Sequence, residues 1–289
     1  MLIVGTEAIS LADIVHTIQQ EPEPREEISF DSLRLSRCVS RLIEAGFRHI
    51  ELALDNRFMV PGALDDNVIE ELLELRRTRG VSYSVHLPMY DMNFMSLNER
   101  ARRATLDCLK ESIVATDPLG ITGYVLHPNR FVEYEIAMLP LAIQAKRKIF
   151  RYILDRGSKG LPELIKTAGN PRKILIEPDC AIPFDAILDP LVKEYDVGIC
   201  LDYGDLISHR INPYSYFDER HERIREIHFH DVAPKYGIDH LPLDGGSSDW
   251  RKFIMHITRE NRFDGVLLLE MMESAAKTSL PRLMKVLGI

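Results

Sequence analysis

Short apolar runs and amphipathic helical stretches alternate through this chain eight times, and that rhythm restricts the fold more than any other feature. The runs are Leu2–Gly5, Arg48–Leu54, Val81–His86, Ile121–His127, Arg172–Glu177, Val197–Asp202, Glu226–Asp231 and Gly265–Glu270. Most are continuous rather than strictly alternating, as expected of strands covered on both faces. Between them, Ser10–Gln19 places Leu11, Ile14, Val15 and Ile18 on one helical face, with Ser10 and Asp13 at capping-box spacing. Asp31–Ala45 and Asp65–Arg79 read as helices stopped by Gly46 and Gly80. Asn98–Thr116, Glu135–Arg156 (irregular at Pro140), Ser158–Asn170, Pro183–Tyr195, Pro213–Arg223, Asp249–Asn261 and Ala275–Leu287 complete the helical set. Eight β/α units in 289 residues predict an α/β fold, a (β/α)8 TIM barrel, with residues 1–289 as one domain. The open doubly wound sheet is weakened because no Gly-rich dinucleotide fingerprint follows the first strand.

Charge and cysteine usage narrow the function. The formal net charge is −8 and no Lys/Arg-rich run occurs, which disfavours a nucleic-acid partner. Cys38, Cys108, Cys180 and Cys200 are scattered without a C-x-x-C pair, as reduced cytosolic thiols would be. Met1–Gly5 is too short for a signal peptide and no apolar run approaches a membrane span. A cytoplasmic protein with no membrane partner is the expectation.

The predicted strand ends carry the chemistry. In the extended stretch Ile227-His228-Phe229-His230-Asp231, the two imidazoles share one face and the apolar residues the other. Taken alone, this stretch reads equally well as solvated histidines on an edge strand. The other strand ends decide the matter: His86, His127, Glu177, Asp202 and Glu270 close the third, fourth, fifth, sixth and eighth runs. Barrel enzymes place their chemistry on that rim, so six consecutive strands converge potential metal ligands there. Imidazoles with carboxylates and no thiolate suit zinc, manganese or iron. One ion needs only about four protein ligands. The surplus predicts two or three divalent ions, with a carboxylate such as Glu177 bridging. Such a pair can clamp a phosphate, one ion activating water and the other stabilising the leaving oxygen. Asp205 and His209 follow Asp202, and His240 precedes the turn Gly245-Gly246. His16, His49, His221 and His256 read as surface or packing residues. Met89, Met92, Met95, Met271 and Met272 flank the ligands and could form adaptable apolar walls. The helix Ser10–Gln19 and the acidic loop after it are expected to wall or cover the ligand.

At Val85-His-Leu-Pro88, Leu126-His-Pro128, Ile176-Glu-Pro178, Cys200-Leu-Asp-Tyr-Gly204, Ile227–Asp231, His240–Gly246 and Leu268-Leu-Glu270 the chain resembles the xylose-isomerase-like barrel superfamily, including its endonuclease IV branch. The resemblance implies a first metal site at His86, His127 and Glu177 and a second at Glu177, Asp202, His228 and Glu270. It implies His240 as one ligand of a third metal. Asp205 and Ile238 stand where the endonuclease branch has a histidine and an aspartate, so the resemblance carries over only part of the third site and leaves the count at two or three ions.

Within the superfamily the chain most resembles the cobamide-remodelling phosphodiesterases, the CbiR family. The likeness runs through Gly5-Thr6, Ala12-Asp-Ile14, Ile50–Leu54, Tyr83–Pro88, Tyr124–His127, Cys200–Asp202 and Ile227–His230. It implies hydrolysis of the phosphoribosyl linkage in the nucleotide loop of a cobamide, a small-molecule substrate, to cobinamide phosphate and an α-riboside. Asp231 or Asp205 is expected to orient the attacking water or a histidine ligand. A sugar isomerase or epimerase of the same barrel is the rival reading, since it needs Glu177, Asp202, His228 and Glu270 but not His86 and His127. A DNA-repair nuclease is disfavoured by the acidic balance, and a barrel that only binds a ligand by the intact ligand set.

Overall fold

The computed structural model describes residues 2–20, 30–60, 62–128, 132–259 and 262–289. Among the described residues are ten strands: β1 Ile3–Ala8, β2 His49–Ala53, β3 Ser82–His86, β4 Tyr124–Leu126, β5 Ile174–Ile176, β6 Gly198–Asp202, β7 Ile224–Phe229, β8 Asp231–Ala233, β9 Ile238–Leu241 and β10 Val266–Leu269. Eight of them close a parallel barrel in the order β1-β10-β7-β6-β5-β4-β3-β2, while β8 and β9 pair separately as an antiparallel ribbon. The chain thus forms the expected (β/α)8 barrel.

The first helices in chain order are α1 Leu11–Gln20, α2 Leu35–Glu44, α3 Asn56–Met59 and α4 Asp66–Arg79. They are followed by α5 Glu99–Thr116, α6 Val132–Met138, α7 Ile143–Gly157, α8 Leu161–Ala168, α9 Leu188–Tyr195, α10 Tyr203–Ser208, α11 Pro213–Arg220, α12 Trp250–Thr258 and α13 Glu273–Leu287. The long helix read over Glu135–Arg156 is two helices, α6 and α7, broken around Pro140. A proline has no amide proton to donate and disfavours helical backbone in the residue before it. The hydrogen-bonded pair Ser10 and Asp13 caps α1 as its spacing predicts: Asp13 N donates to Ser10 Oγ and Ser10 N to Asp13 Oδ2. Residues 21–29, which include the acidic loop, lie outside the described residues. Among the described residues no helix is long and apolar enough to cross a membrane, and all four cysteines are unpaired thiols.

Strand β1 runs to Ala8, beyond the Gly5 at which the sequence reading ended it. Gly5 is no terminator. A Cβ there would stand 2.9 Å from the His49 carbonyl oxygen and 3.0 Å from the His49 ring, so the glycine lets β1 and β2 close over a buried imidazole. Continuing the strand brings Glu7 to the rim beside Glu51. Gly5→Ala is expected to cost about 1–3 kcal/mol, the usual penalty for overfilling a packed interior. Denaturant unfolding of the variant would check this.

The main core lies between barrel and helices, with Phe47, Phe217, Phe229, Trp250 and Phe253 among its fully buried side chains. Inside the barrel, Val125, Leu175 and Cys200 form a small separate apolar cluster. Apart from residues such as Leu268, much of that interior is polar. Ser84 on β3 donates a 2.8 Å hydrogen bond across the barrel to Glu226 on β7. His49 stands between the hydroxyls of Ser82 (Nδ1, 2.8 Å) and Ser84 (Nε2, 3.0 Å).

Candidate metal centre

The rim ligands converge because parallel strands in register put corresponding residues side by side. Asp202 pairs with His228 across β6 and β7, and Glu177 and Glu270 each lie one residue beyond the end of their strand. His86 and His127 face each other with 3.1 Å between their Nε2 atoms. Nδ1 of His86 lies 3.2 Å from the Leu87 carbonyl, which suits a proton there and leaves the Nε2 lone pair free. Glu177 joins two ligand sets. Its Oε2 is 3.1 Å from His127 Nε2 and 3.7 Å from His86 Nε2, whereas its Oε1 is 3.3 Å from His228 Nδ1. That same Nδ1 is 3.2 Å from Glu270 Oε2.

These spacings fit divalent ions. Two atoms coordinated at about 2.0–2.1 Å by a tetrahedral ion stand roughly 3.3 Å from one another. The ligand atoms of His86, His127 and Glu177 form one such group, and those of Glu177, Asp202, His228 and Glu270 another. Glu177 Oε2, Glu270 Oε2 and both ring nitrogens of His228 are buried without a hydrogen-bond partner. Buried polar atoms left in this state mark places built for a charged occupant.

The electrostatics agree. Burial alone would raise the Glu177 and Glu270 carboxyls, but neighbouring imidazoles outweigh it and hold both well below the usual range. For His86, burial opposes the proton; Glu177 and Glu51 overcome it and lift the imidazole to about 9. Glu7 and Asp205 are each pushed up to about 8, by burial first and then by the charges of Glu270 and Asp202 respectively. The rim thus concentrates more negative charge than its histidines balance, and cations would relieve it.

His240 comes from the β8–β9 ribbon, with its backbone in the left-handed region at φ 50°. That turn directs its amide to His230 Nδ1, at 3.0 Å, and stacks the two rings at 4.2 Å. His240 Nε2 lies 3.6 Å from Glu270 Oε2, and His230 Nε2 lies 3.3 Å from Asp202 Oδ1. His230 Nδ1 also lies 3.3 Å from the Asp231 carbonyl, so the ring is held on that side by two backbone groups while its Nε2 faces Asp202. Asp202, His230, His240 and Glu270 stand close enough to hold an ion as a group.

Asp205 faces the cavity, as its expected role requires, and its amide caps Asp202 Oδ1 at 2.7 Å. His209 is exposed, with Nδ1 on the Asp205 carbonyl. Asp231 is engaged by its own loop. Its Oδ1 accepts from the amides of Val232 and Ser248 and from the Ser248 hydroxyl, and its Oδ2 from the Gly246 amide. Those bonds occupy its carboxylate in organising the loop, rather than in orienting a histidine ligand or turning toward the cavity. Gly246 is tight for the same reason: a Cβ there would fall 2.6 Å from Asp231 Oδ1.

The ligands floor a cavity of about 700 Å³. Helix α1 supplies one wall through Leu11, Ile14 and Val15, while Met59, Met89, Met271 and Met272 complete an apolar rim. Sequence reasoning missed Glu7, Glu51 and Asp55. Asp55 accepts from the Met89 and Tyr90 amides at 3.0 and 2.9 Å, tying the loop after β3 to the rim. The signal for Glu51 was present, since in His49-Ile50-Glu51-Leu52-Ala53 the alternating residues His49 and Glu51 turn inward.

The family model of the xylose isomerase-like TIM barrel matches residues 39–287. The chain belongs to this family. Over 213 residues the xylose isomerase-like barrel is 28% identical to the uncharacterized protein MJ1311 of Methanocaldococcus jannaschii, covering 70% of this chain and 68% of that protein. Among solved structures, a D-tagatose 3-epimerase-like protein superposes with a TM-score of 0.72 at 22% identity, covering 99% of this chain and 97% of the other. Endonuclease IV from Thermus thermophilus superposes with a TM-score of 0.62 at 15% identity, covering 99% of each chain. At these identities the structural likeness establishes a shared fold, one used by enzymes of different reaction classes.

Proposed function

We propose that this xylose isomerase-like barrel is a divalent-metal-dependent phosphodiesterase that hydrolyses the phosphoribosyl linkage in the nucleotide loop of a cobamide. The observation that carries the reading is Glu177, which turns one oxygen to His86 and His127 and the other to His228. A bridged pair of ligand sets suits phosphodiester hydrolysis, whereas enolisation of a sugar needs only Glu177, Asp202, His228 and Glu270. Bound divalent ions, zinc before manganese or iron for this donor set, would neutralise the phosphate oxygens and bring water's pKa down to about 7.

The chain's own groups do the rest. Asp205 lines the cavity beside Asp202 and can accept a hydrogen bond from the attacking water, orienting it toward phosphorus. A P–OH bond forms as the bond from phosphorus to the ribose oxygen breaks, and water's second proton ends on that oxygen. Leu11, Val15 and the methionines offer the apolar, deformable wall that a corrin edge would contact. The cavity is also far larger than one ketose fills. The resemblance to the cobamide-remodelling phosphodiesterases supports this substrate class.

Metal-loaded protein is expected to convert adenosylcobalamin to cobinamide phosphate and α-ribazole, resolved by chromatography and mass spectrometry. The likeness to an epimerase-like structure favours the second reading. Epimerisation of a free ketose, with no cobamide cleavage and one ion bound per chain, would establish it instead.

A further inference from the structure

Beneath the ligand cluster, the barrel interior holds carboxylates where barrels of this kind are filled by branched aliphatic side chains. Glu51, on β2, is fully buried, and neither of its carboxylate oxygens has a hydrogen-bond partner. Holding an ionised carboxylate in such a place costs several kcal/mol unless a donor meets it. Nε2 of His228 stands 3.3 Å from Glu51 Oε1. Nδ1 of the same ring faces Glu177 and Glu270, at 3.3 and 3.2 Å. The imidazole is therefore strung between the metal centre and the carboxylate below it.

A neutral imidazole carries one proton, so a ring that offers Nδ1 to a cation must hold its proton on Nε2. We propose that Glu51 is a positioning residue for the metal centre: it takes the Nε2–H of His228, fixes the tautomer and plane of that ring, and so aims Nδ1 at the ion shared with Glu177 and Glu270. The neighbouring buried carboxylate does not compete for this role. Glu226 accepts from the Ser84 hydroxyl at 2.8 Å, and Ser84 Oγ in turn takes the Nε2 proton of His49 at 3.0 Å. The proposal rests on the metal-binding part of the functional reading and is independent of the substrate.

The test compares wild-type protein with Glu51→Leu, which keeps bulk and removes the acceptor, and Glu51→Gln, whose amide oxygen can take the same proton. Zinc is titrated into metal-free protein against a chromophoric chelator, and cobalt(II) reports coordination through its visible absorption. Glu51→Leu should weaken one of the bound ions about 10–100-fold, the usual effect of removing such a support. Its cobalt spectrum should change, because the His228 ring loses the acceptor that orients it. Glu51→Gln should recover most of the affinity. A residue that merely fills space would leave both the affinity and the cobalt spectrum unchanged.

Wild-type affinity and an unaltered cobalt spectrum in Glu51→Leu would overturn the proposal while leaving the metal centre standing. A wild-type protein that binds no divalent ion would overturn both. Should Glu51→Leu fail to fold, histidine nitrogen NMR of the zinc-loaded wild type decides. The expected result is a His228 ring protonated at Nε2, and protonation at Nδ1 would refute the role.

Discussion

Glu177→Ala is expected to lose bound metal and nearly all turnover while the barrel stays folded. This one side chain serves both ligand sets, so its removal takes an oxygen from each. It also leaves the imidazoles of His86 and His127 without the carboxylate facing them. Electrostatic stabilisation of a transition state by bound cations is worth several kcal/mol, and each ~1.4 kcal/mol is a factor of ten in rate. Activity should fall by roughly 10³-fold or more on that scale. Plasma emission analysis of metal content, with circular dichroism to confirm the fold, checks the result. Full metal occupancy and activity in the variant would remove the basis for a bridged centre. Because Glu177 pairs with β4 only through its backbone amide, on the Leu126 carbonyl, loss of its side chain should not disturb strand pairing.

Acid is expected to destabilise the wild-type protein more than a His49→Gln variant. His49 is enclosed between β1, β2 and β3, and burial lowers its imidazole to about 4. The unfolded chain takes up a proton near the ordinary histidine value of about 6.5, while the folded chain resists until about 4. Between those limits the unfolded state binds more protons, so folding stability falls as pH falls. The shift corresponds to about 3 kcal/mol across that window. Glu226 pulls the other way, because burial and the Glu51 charge raise its carboxyl to about 8 and favour the folded state at lower pH. It is present in both proteins, and a glutamine side chain keeps a donor for the Ser84 hydroxyl that Glu226 accepts from, so the difference between their stability curves reports chiefly on His49. Urea unfolding of each at pH 7 and pH 4.5 makes the measurement, and parallel curves would show that His49 is not held neutral.

The rim was legible in the chain because each ligand stands at or just beyond the end of an apolar run. His86, His127, Glu177, Asp202, His228 and Glu270 could be placed on one rim once eight such runs implied a closed barrel. Helix ends were legible where a side chain or glycine acts locally: Asp65 caps α4 through the Val68 amide, and Gly80 ends that helix in the left-handed conformation. Asp231 shows the limit of this reasoning. From sequence it was one more acid beside a histidine. Its orientation depends on the amides of Gly246 and Ser248, which the loop after β9 brings back to it.

The sequence alone therefore determined the periodicity, the barrel and the kinds of ligand, since those follow from local pattern and from the direction in which strands point their ends. Tertiary structure alone decided which atoms meet. Gly5 could not be read as a site of close approach until His49 was seen against it. Glu7 and Glu51 became neighbours of the centre only when β1 and β2 closed the barrel. The pairing of Glu51 with His228 joins β2 to β7, strands that are not adjacent in the sheet. No local pattern encodes such a contact, because its distance is set by the tilt and closure of the whole barrel.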